Sequence, residues 1–313
     1  MSGLTAEKAL VPSRSRGITA NGSRYLRLLP VDRQARDRYD FASMNPSDDP
    51  TEPALTDPSA VHTLLIHGGS HGAWCWRRVE TELRRRGVLS SSFDLPGCGQ
   101  DRTPRARLTM NDLVASVIDH INELGVRRVR LVGHSIGGWL LPPVAAEIAA
   151  RVDAGSTSDE QGDEARDIEI AEIVFVGASI LRRGECGLDV TPAQRRPGYY
   201  IMAESSNDNS LLPDFESAWG RFFQHLPEPH ARAFYAMLTP QAFGPYLSPA
   251  AVGIEDVSVP RRYIAMDDDR TYPLDVARGF AAKAGVEPIV IAGDHCVMLS
   301  DATALAAVIV QAR

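Results

Sequence analysis

Residues 129–140 read VRLVGHSIGGWL. The stretch opens with a short valine- and leucine-rich run ended by glycine, the pattern of a buried strand. It continues as Gly133-His134-Ser135-Ile136-Gly137, a G-x-S-x-G, and then as a helix-forming segment. Five positions with three fixed recur by chance, and a structural glycine turn is the plain alternative. The placement sets this match apart. Glycines two residues before and two residues after Ser135 let the backbone turn sharply without Cβ clashes. A strand-turn-helix of this kind lifts the serine hydroxyl above the sheet. The start of the helix then points its amides toward developing negative charge.

The segments on either side repeat the alternation. Residues 61–66 (VHTLLI) read as a second buried strand, ended by His67-Gly68-Gly69. Residues 74–86 are a helical stretch closed by Gly87, residues 88–94 a strand, and residues 110–124 an amphipathic helix stopped by Gly125. Strands return at 171–176, 261–266 and 288–291, and a helix over 302–311 closes the chain. The alternation predicts an α/β fold, with a mostly parallel central sheet and helices on both faces. Residues 61–181 and 258–313 are the expected core. Residues 182–257, with Trp219, Phe222, Phe223 and Phe234 among prolines and polar residues, predict a helical cap. Residues 1–60 are expected to be a partly disordered N-terminal arm in which YLRLL at 25–29 has strand character. Residues 153–169, polar and acidic, predict a mobile surface insertion. Pro142 and Pro143 follow the turn closely and are expected to kink the helix there.

A chain of 313 residues is long enough for one large α/β domain. The net charge of −7 leaves no electrostatic case for nucleic acid or an anionic membrane as partner. Cys75, Cys98, Cys186 and Cys296 form no C-x-x-C pair, which argues against a zinc site or a redox dithiol and fits a reducing compartment. The first residues have no apolar h-region, and no run of about 18 apolar residues occurs. A soluble cytoplasmic protein is therefore expected. Without H-E-x-x-H, or G-x-G-x-x-G after a strand, no metal and no cofactor are expected. The expected partner is a small-molecule substrate, and the oligomeric state stays open.

A serine hydroxyl is a weak nucleophile until a base takes its proton. For a serine on such a turn, the partners follow in the order acid, then histidine. His295, directly after the last strand, is the histidine nearest the C-terminus and the candidate base. His225 and His230 also follow Ser135 but fall in the expected cap. The strand over 261–266 ends in Asp267-Asp268-Asp269, any of which could orient the imidazole. Two backbone amides should face the oxyanion: Ile136, and Gly69 from the glycine loop. Gly68, Ser70, His134, Trp219 and Cys296 are the expected substrate contacts.

HGGSHGAWCW at 67–76 resembles the H-G-x-x-H-G-A-W-x-W signature of the plant methylesterase and hydroxynitrile lyase group of the α/β-hydrolase superfamily. GHSIGG at 133–138 and GDHCVML at 293–299 are similar to that group's nucleophile turn and histidine segment. YIAMDDDRTYP at 263–273 resembles its strand-acid-proline stretch and aligns the acid with Asp269. DLPGCG at 94–99 is similar to a loop of α/β-hydrolases in general. The resemblance runs from Val61 to the C-terminus and implies the α/β-hydrolase fold with Ser135, His295 and Asp269 as a triad. The N-terminal arm, the acidic insertion and the two prolines depart from the group. The cap diverges, so a substrate is not carried over.

Lyases of that group resemble one another in a threonine after the first signature histidine and a lysine after the catalytic one. This chain has Gly68 and Cys296 there, and a thiol cannot supply the fixed positive charge that expelled cyanide needs. The resemblance thus implies the esterase branch, a serine hydrolase that cleaves a carboxylic ester of a small apolar or aromatic molecule through an acyl-enzyme. A lyase, elimination or cyclisation enzyme using the same Ser–His pair, and a non-catalytic ligand receptor, are the alternatives.

Overall fold

The computed structural model describes residues 60–153 and 168–311. The expectations for the N-terminal arm, including the strand at 25–29, and for the body of the acidic insertion lie outside the described residues. Among the described residues, no helix is long and apolar enough to cross a membrane.

Six strands form the main sheet. They are β1 Val61–Ile66, β2 Ser90–Ser92, β3 Arg128–His134, β4 Glu169–Val176, β5 Arg261–Met266 and β6 Pro288–Ile291. Their order is β2-β1-β3-β4-β5-β6, and every pair is parallel. The strands are buried through period-two alternation. Leu64, Ile66, Leu131, Ile173, Phe175 and Tyr263 face one apolar cluster, which includes Leu113, Val117 and Ile121 of α2 (Met110–Leu124) and Val144 and Ile148 of α3 (Leu141–Asp153). The intervening Leu65, Val132, Val174 and Ile264 are equally buried and lie outside that cluster, on the opposite face. There α1 (Arg77–Arg85) packs against α8 (Ala302–Val310). A sheet covered on both faces is the architecture that the strand-helix alternation predicts.

Local chemistry sets the helix boundaries. Thr109 caps α2 by accepting from the Asp112 amide, and the Asp112 carboxylate accepts from the Thr109 amide in return. Gly125, at φ 64°, ends the helix in the left-handed region. The predicted kink at Pro142 and Pro143 does not occur. The six residues from Ser135 to Leu140 form a 3-10 stretch, and α3 starts afterwards at Leu141. The prolines therefore occupy the first turn of α3, where an amide has no intrahelical acceptor to lose. The strand predicted over 88–94 shrinks to Ser90–Ser92 at the sheet edge. Asp94 has left the ladder, and its carboxylate accepts from the amides of Ala73 and Gln100 at 2.6 and 2.7 Å.

At the opposite end of the strands, Glu172 accepts from Arg262 at 2.7 Å and from Arg130 at 3.0 Å. Arg262 also donates to the Val308 and Ile309 carbonyls, both at 2.8 Å, and so holds the C-terminal end of α8 to the sheet. Between β4 and β5 the chain builds α4 (Arg196–Ser205), α5 (Phe215–Phe222), α6 (Glu228–Tyr235) and a short antiparallel ladder of Ser210–Leu211 with Gln241–Ala242. These elements carry most of one wall of the candidate site.

The turn after β3 is possible only with glycine at its two ends. A Cβ on Gly133 would lie 2.8 Å from the Gly137 carbonyl oxygen, and one on Gly137 would lie 2.7 Å from that of His67. Both obstacles are backbone, so neither can give way cheaply. Gly279, in α7 (Leu274–Lys283), has nothing within 4 Å of its Cβ position. Gly137→Ala is expected to cost at least about 2 kcal/mol. Gly279→Ala should stabilise by about 0.5–1 kcal/mol through helix propensity. Urea unfolding of the two variants checks this, and equal midpoints would contradict the close approach at the turn.

Candidate active site

Ser135 stands at φ 53°, an uncommon conformation for a residue with a Cβ that costs about 1–2 kcal/mol. The turn that imposes it carries the hydroxyl to the C-terminal rim of the sheet. The loops after β5 and β6 reach the same rim. The Asp267 carboxylate accepts from the Gly293 amide at 2.9 Å and latches these two loops together. His295 and Asp269 then meet Ser135 in one line. The His295 Nδ1–H donates to Asp269 Oδ2 at 2.8 Å, and the Ser135 hydroxyl lies 3.1 Å from His295 Nε2 as its donor. The other oxygen of Asp269 accepts from the Thr271 and Tyr272 amides at 2.7 and 2.9 Å, which fixes the carboxylate plane. His295 and Asp269 are almost wholly enclosed, and Ser135 keeps 7% of its surface open, so the hydroxyl is the reachable member of the line.

Geometry separates the three aspartates. Asp269 faces the histidine, Asp267 serves as the latch, and Asp268 sits at the surface, 2.7 Å from His225 Nε2. His225 also donates its amide to Asp294, so it braces the rim from the cap side. His230 is buried within α6 and is absent from the pocket lining.

A pocket opens above Ser135 and is lined by Gly69, Ser70, His71, His134, Ile136 and His295 on the sheet side. Its opposite side comprises Arg195, Tyr199, Met202, Arg221, Phe222, Gln241 and Tyr246. Gly69 and Ile136 meet across the pocket: a Cβ on Gly69 would lie 3.2 Å from Ile136 Cδ1. The Ile136 amide belongs to the first turn of a helical stretch and so has no intrahelical acceptor. Both residues line the pocket beside Ser135.

Three expected substrate contacts are elsewhere. Gly68 runs beneath the serine turn, where a Cβ would meet His134 Nδ1 at 2.7 Å and Ser135 Cβ at 2.9 Å. It gives the turn room rather than touching a ligand. Trp219 donates its indole N–H to the Leu226 carbonyl and stacks on Phe215, so it packs within the cap. Cys296 is fully buried behind His71, with its Sγ 3.3 Å from His71 Nε2. The imidazole of His71, rather than the thiol, forms the pocket wall.

Carbonyl partners identify the histidine tautomers. His71 Nδ1–H donates to the Gly69 carbonyl, leaving Nε2 to accept from the Cys296 thiol. His134 Nε2–H donates to the His295 carbonyl at 2.9 Å, which anchors the backbone of the candidate base. Burial first of all holds both imidazoles neutral: His71 is lowered to about 3 and His134 well below its ordinary value, while burial pushes the Cys296 thiol up. Gln241 ties the cap to the glycine loop by accepting from the Ser70 amide, and the Thr239 amide donates to the Ser70 carbonyl. Among the described residues, no group of three His, Cys, Asp or Glu side chains could hold a metal ion.

Comparison with known proteins bears on the family and the fold. Residues 63–308 match the family described as "Alpha/beta hydrolase family". Putative methylesterase 14, chloroplastic, of Arabidopsis thaliana is 26% identical over 76% of this chain and 67% of its own length. Methylesterase 7 of the same plant is 25% identical over 79% of this chain and 94% of its own. Among solved structures, an extracellular alpha/beta-hydrolase from a Paenibacillus species superposes with a TM-score of 0.69 at 22% identity, covering 80% of this chain and 98% of that one. A pyrethroid hydrolase from Sphingobium faniae gives 0.62 at 20% identity, over 80% and 96%. At these identities the solved structures establish the shared fold.

The neutral histidines make stability depend on pH. His62, held down to about 4 by burial, and His67, His120 and His230 share the direction of His71 and His134. Each has a folded value below its unfolded one, near 6.5. The unfolded chain therefore binds more protons below that value, and stability falls as the pH drops through it. Burial raises Asp294 and Glu80, which act in the opposite sense but are fewer. The urea midpoint is expected to be clearly lower at about pH 5.5 than at about pH 7.5. A midpoint that holds or rises on acidification would mean that these imidazoles carry charge in the folded chain.

Proposed function

The chain belongs to the alpha/beta hydrolase family, and from that premise we propose that it is a carboxylic ester hydrolase working through an acyl-enzyme on Ser135. The observation that carries the reading is the continuous hydrogen-bonded line from Ser135 through His295 to Asp269. The relatives named methylesterases support an ester as the substrate class. The aromatic side chains of the pocket support an acid or alcohol part with an apolar or aromatic body.

In this reading the Ser135 oxygen attacks the ester carbonyl carbon while His295 Nε2 takes the hydroxyl proton. The carbonyl oxygen gains the negative charge and rests against the Gly69 and Ile136 amides. The tetrahedral centre collapses and breaks the bond to the alkoxy oxygen, which leaves as the alcohol with the proton from His295. Water then gives a proton to His295, and its oxygen attacks the acyl carbon. Release of the acid restores the serine hydroxyl. Asp269 keeps its charge throughout, holds His295 with Nδ1 protonated, and stabilises the imidazolium.

Ser135→Ala should lower turnover of an activated short-chain ester by about three decades or more and abolish labelling by a serine-reactive phosphonate. Turnover within tenfold of wild type would remove Ser135 from the mechanism. Among the aspartates, Asp269→Asn should slow turnover far more than Asp267→Asn or Asp268→Asn, because it alone contacts the imidazole. Side-by-side kinetics decide this, and a larger loss at Asp267 or Asp268 would reassign the acid.

A further inference from the structure

Two arginines share the pocket above Ser135. Arg195 lies just ahead of α4, and Arg221 lies near the end of α5. Both are only partly exposed. Arg195 is held in place: Nη1 donates to the Thr271 carbonyl at 3.1 Å and Nη2 to the Arg270 carbonyl at 3.0 Å. Those bonds use two of its five donors. Arg221 spends Nε on the Ser217 carbonyl and lies over the Phe222 ring, 4.9 Å from its centroid. Among the described residues neither guanidinium has a carboxylate within ion-pair distance, whereas Arg105, Arg128, Arg183 and Arg262 each do.

This arrangement is costly for the empty protein. Burial and the nearby Arg221 charge both act against the charge on Arg195. The acid close enough to favour that charge, Asp269, is already committed to His295 and two amides. Two fixed cations at one cavity repel each other until an anion enters between them. Their forks suit a carboxylate, which can accept two parallel N–H bonds from a guanidinium. The rest of the same wall, Tyr199, Met202, Phe222 and Tyr246, is aromatic or apolar.

We propose that Arg195 and Arg221 form a carboxylate subsite, so that the preferred substrate is an ester whose apolar or aromatic body carries a second, anionic group: a half-ester of a dicarboxylic acid. The proposal rests on the ester-hydrolase reading for the reaction, but the subsite itself can be tested without turnover. A neutral ester of the same shape fills the pocket and leaves the two cations unneutralised.

The test compares monomethyl isophthalate with dimethyl isophthalate. Wild type should favour the monoanion in kcat/KM by roughly tenfold to a hundredfold, the range expected for hydrogen bonds to a charged group. Arg195→Gln and Arg221→Gln should each reduce that ratio, and Arg195→Lys should retain part of it. Raising the salt concentration should raise KM for the monoanion more than for the diester. Because Arg195 also braces the 270–271 loop, the folded state of each variant is checked by its urea midpoint. Arg221→Gln, which leaves that brace intact, carries the test if Arg195→Gln unfolds. Calorimetric binding of both compounds to Ser135→Ala reads the subsite independently of catalysis. Tighter binding of the monoanion with no hydrolysis of either ester by wild type would support the subsite and refute the ester-hydrolase reading. Equal affinity for the two compounds, or a preference for the diester that the arginine variants leave unmoved, would overturn the subsite.

Discussion

Between Gly133 and Gly137 the backbone turns so closely on itself and on the end of β1 that carbonyls occupy the space a side chain would need: that of Gly137 at Gly133, and those of Ile66 and His67 at Gly137. Everything at the site follows from that closeness. It places Ser135 in a left-handed conformation and lifts its oxygen above the strand ends. It also starts a helical stretch at the serine, so the next amide has no intrahelical acceptor. The sheet repays the local strain, because β3 is hydrogen-bonded on both sides by β1 and β4. Gly68 extends the constraint to the neighbouring loop, which passes under the turn with no room for a side chain.

The second determinant is a set of buried imidazoles around the line from Ser135 to Asp269. His134 stands within ring-contact distance of both His71 and His295, and three positive charges could not coexist there. Burial and carbonyl partners keep His71 and His134 neutral in defined tautomers. Asp269 is the carboxylate bonded directly to His295, and the Thr271 and Tyr272 amides hold it in orientation.

Much of this was legible in the sequence because it depends on local backbone chemistry. The helix over 110–124 is legible to the residue from its amphipathic pattern and the glycine that stops it, and the folded chain adds a threonine cap at its start. The serine turn was readable from two glycines, and the histidine from its place after the last strand. Other features depend on what the folded chain brings near, and no local signal carries them. The prolines at 142 and 143 looked like helix breakers because the intervening 3-10 stretch was not foreseen. Cys296 follows the candidate base in sequence, but His71 stands between it and the pocket. Gly68 and Trp219 were expected at the ligand and instead serve packing. Arg195, Arg221 and Gln241 come from cap segments that no motif marks, and only the folded chain sets them opposite the serine.

Among the described residues the four-residue strand β6 is the sheet's last member, paired on one side only, and His295 follows four residues after its end. Edge elements open locally at a lower free energy than central ones. Detachment of this short strand would carry the imidazole away from a serine turn still clamped between β1 and β4. Heating should therefore silence the protein before it melts: loss of activity would track the fraying of one edge, and hydrogen exchange would be fast at β6 while β3 remained protected.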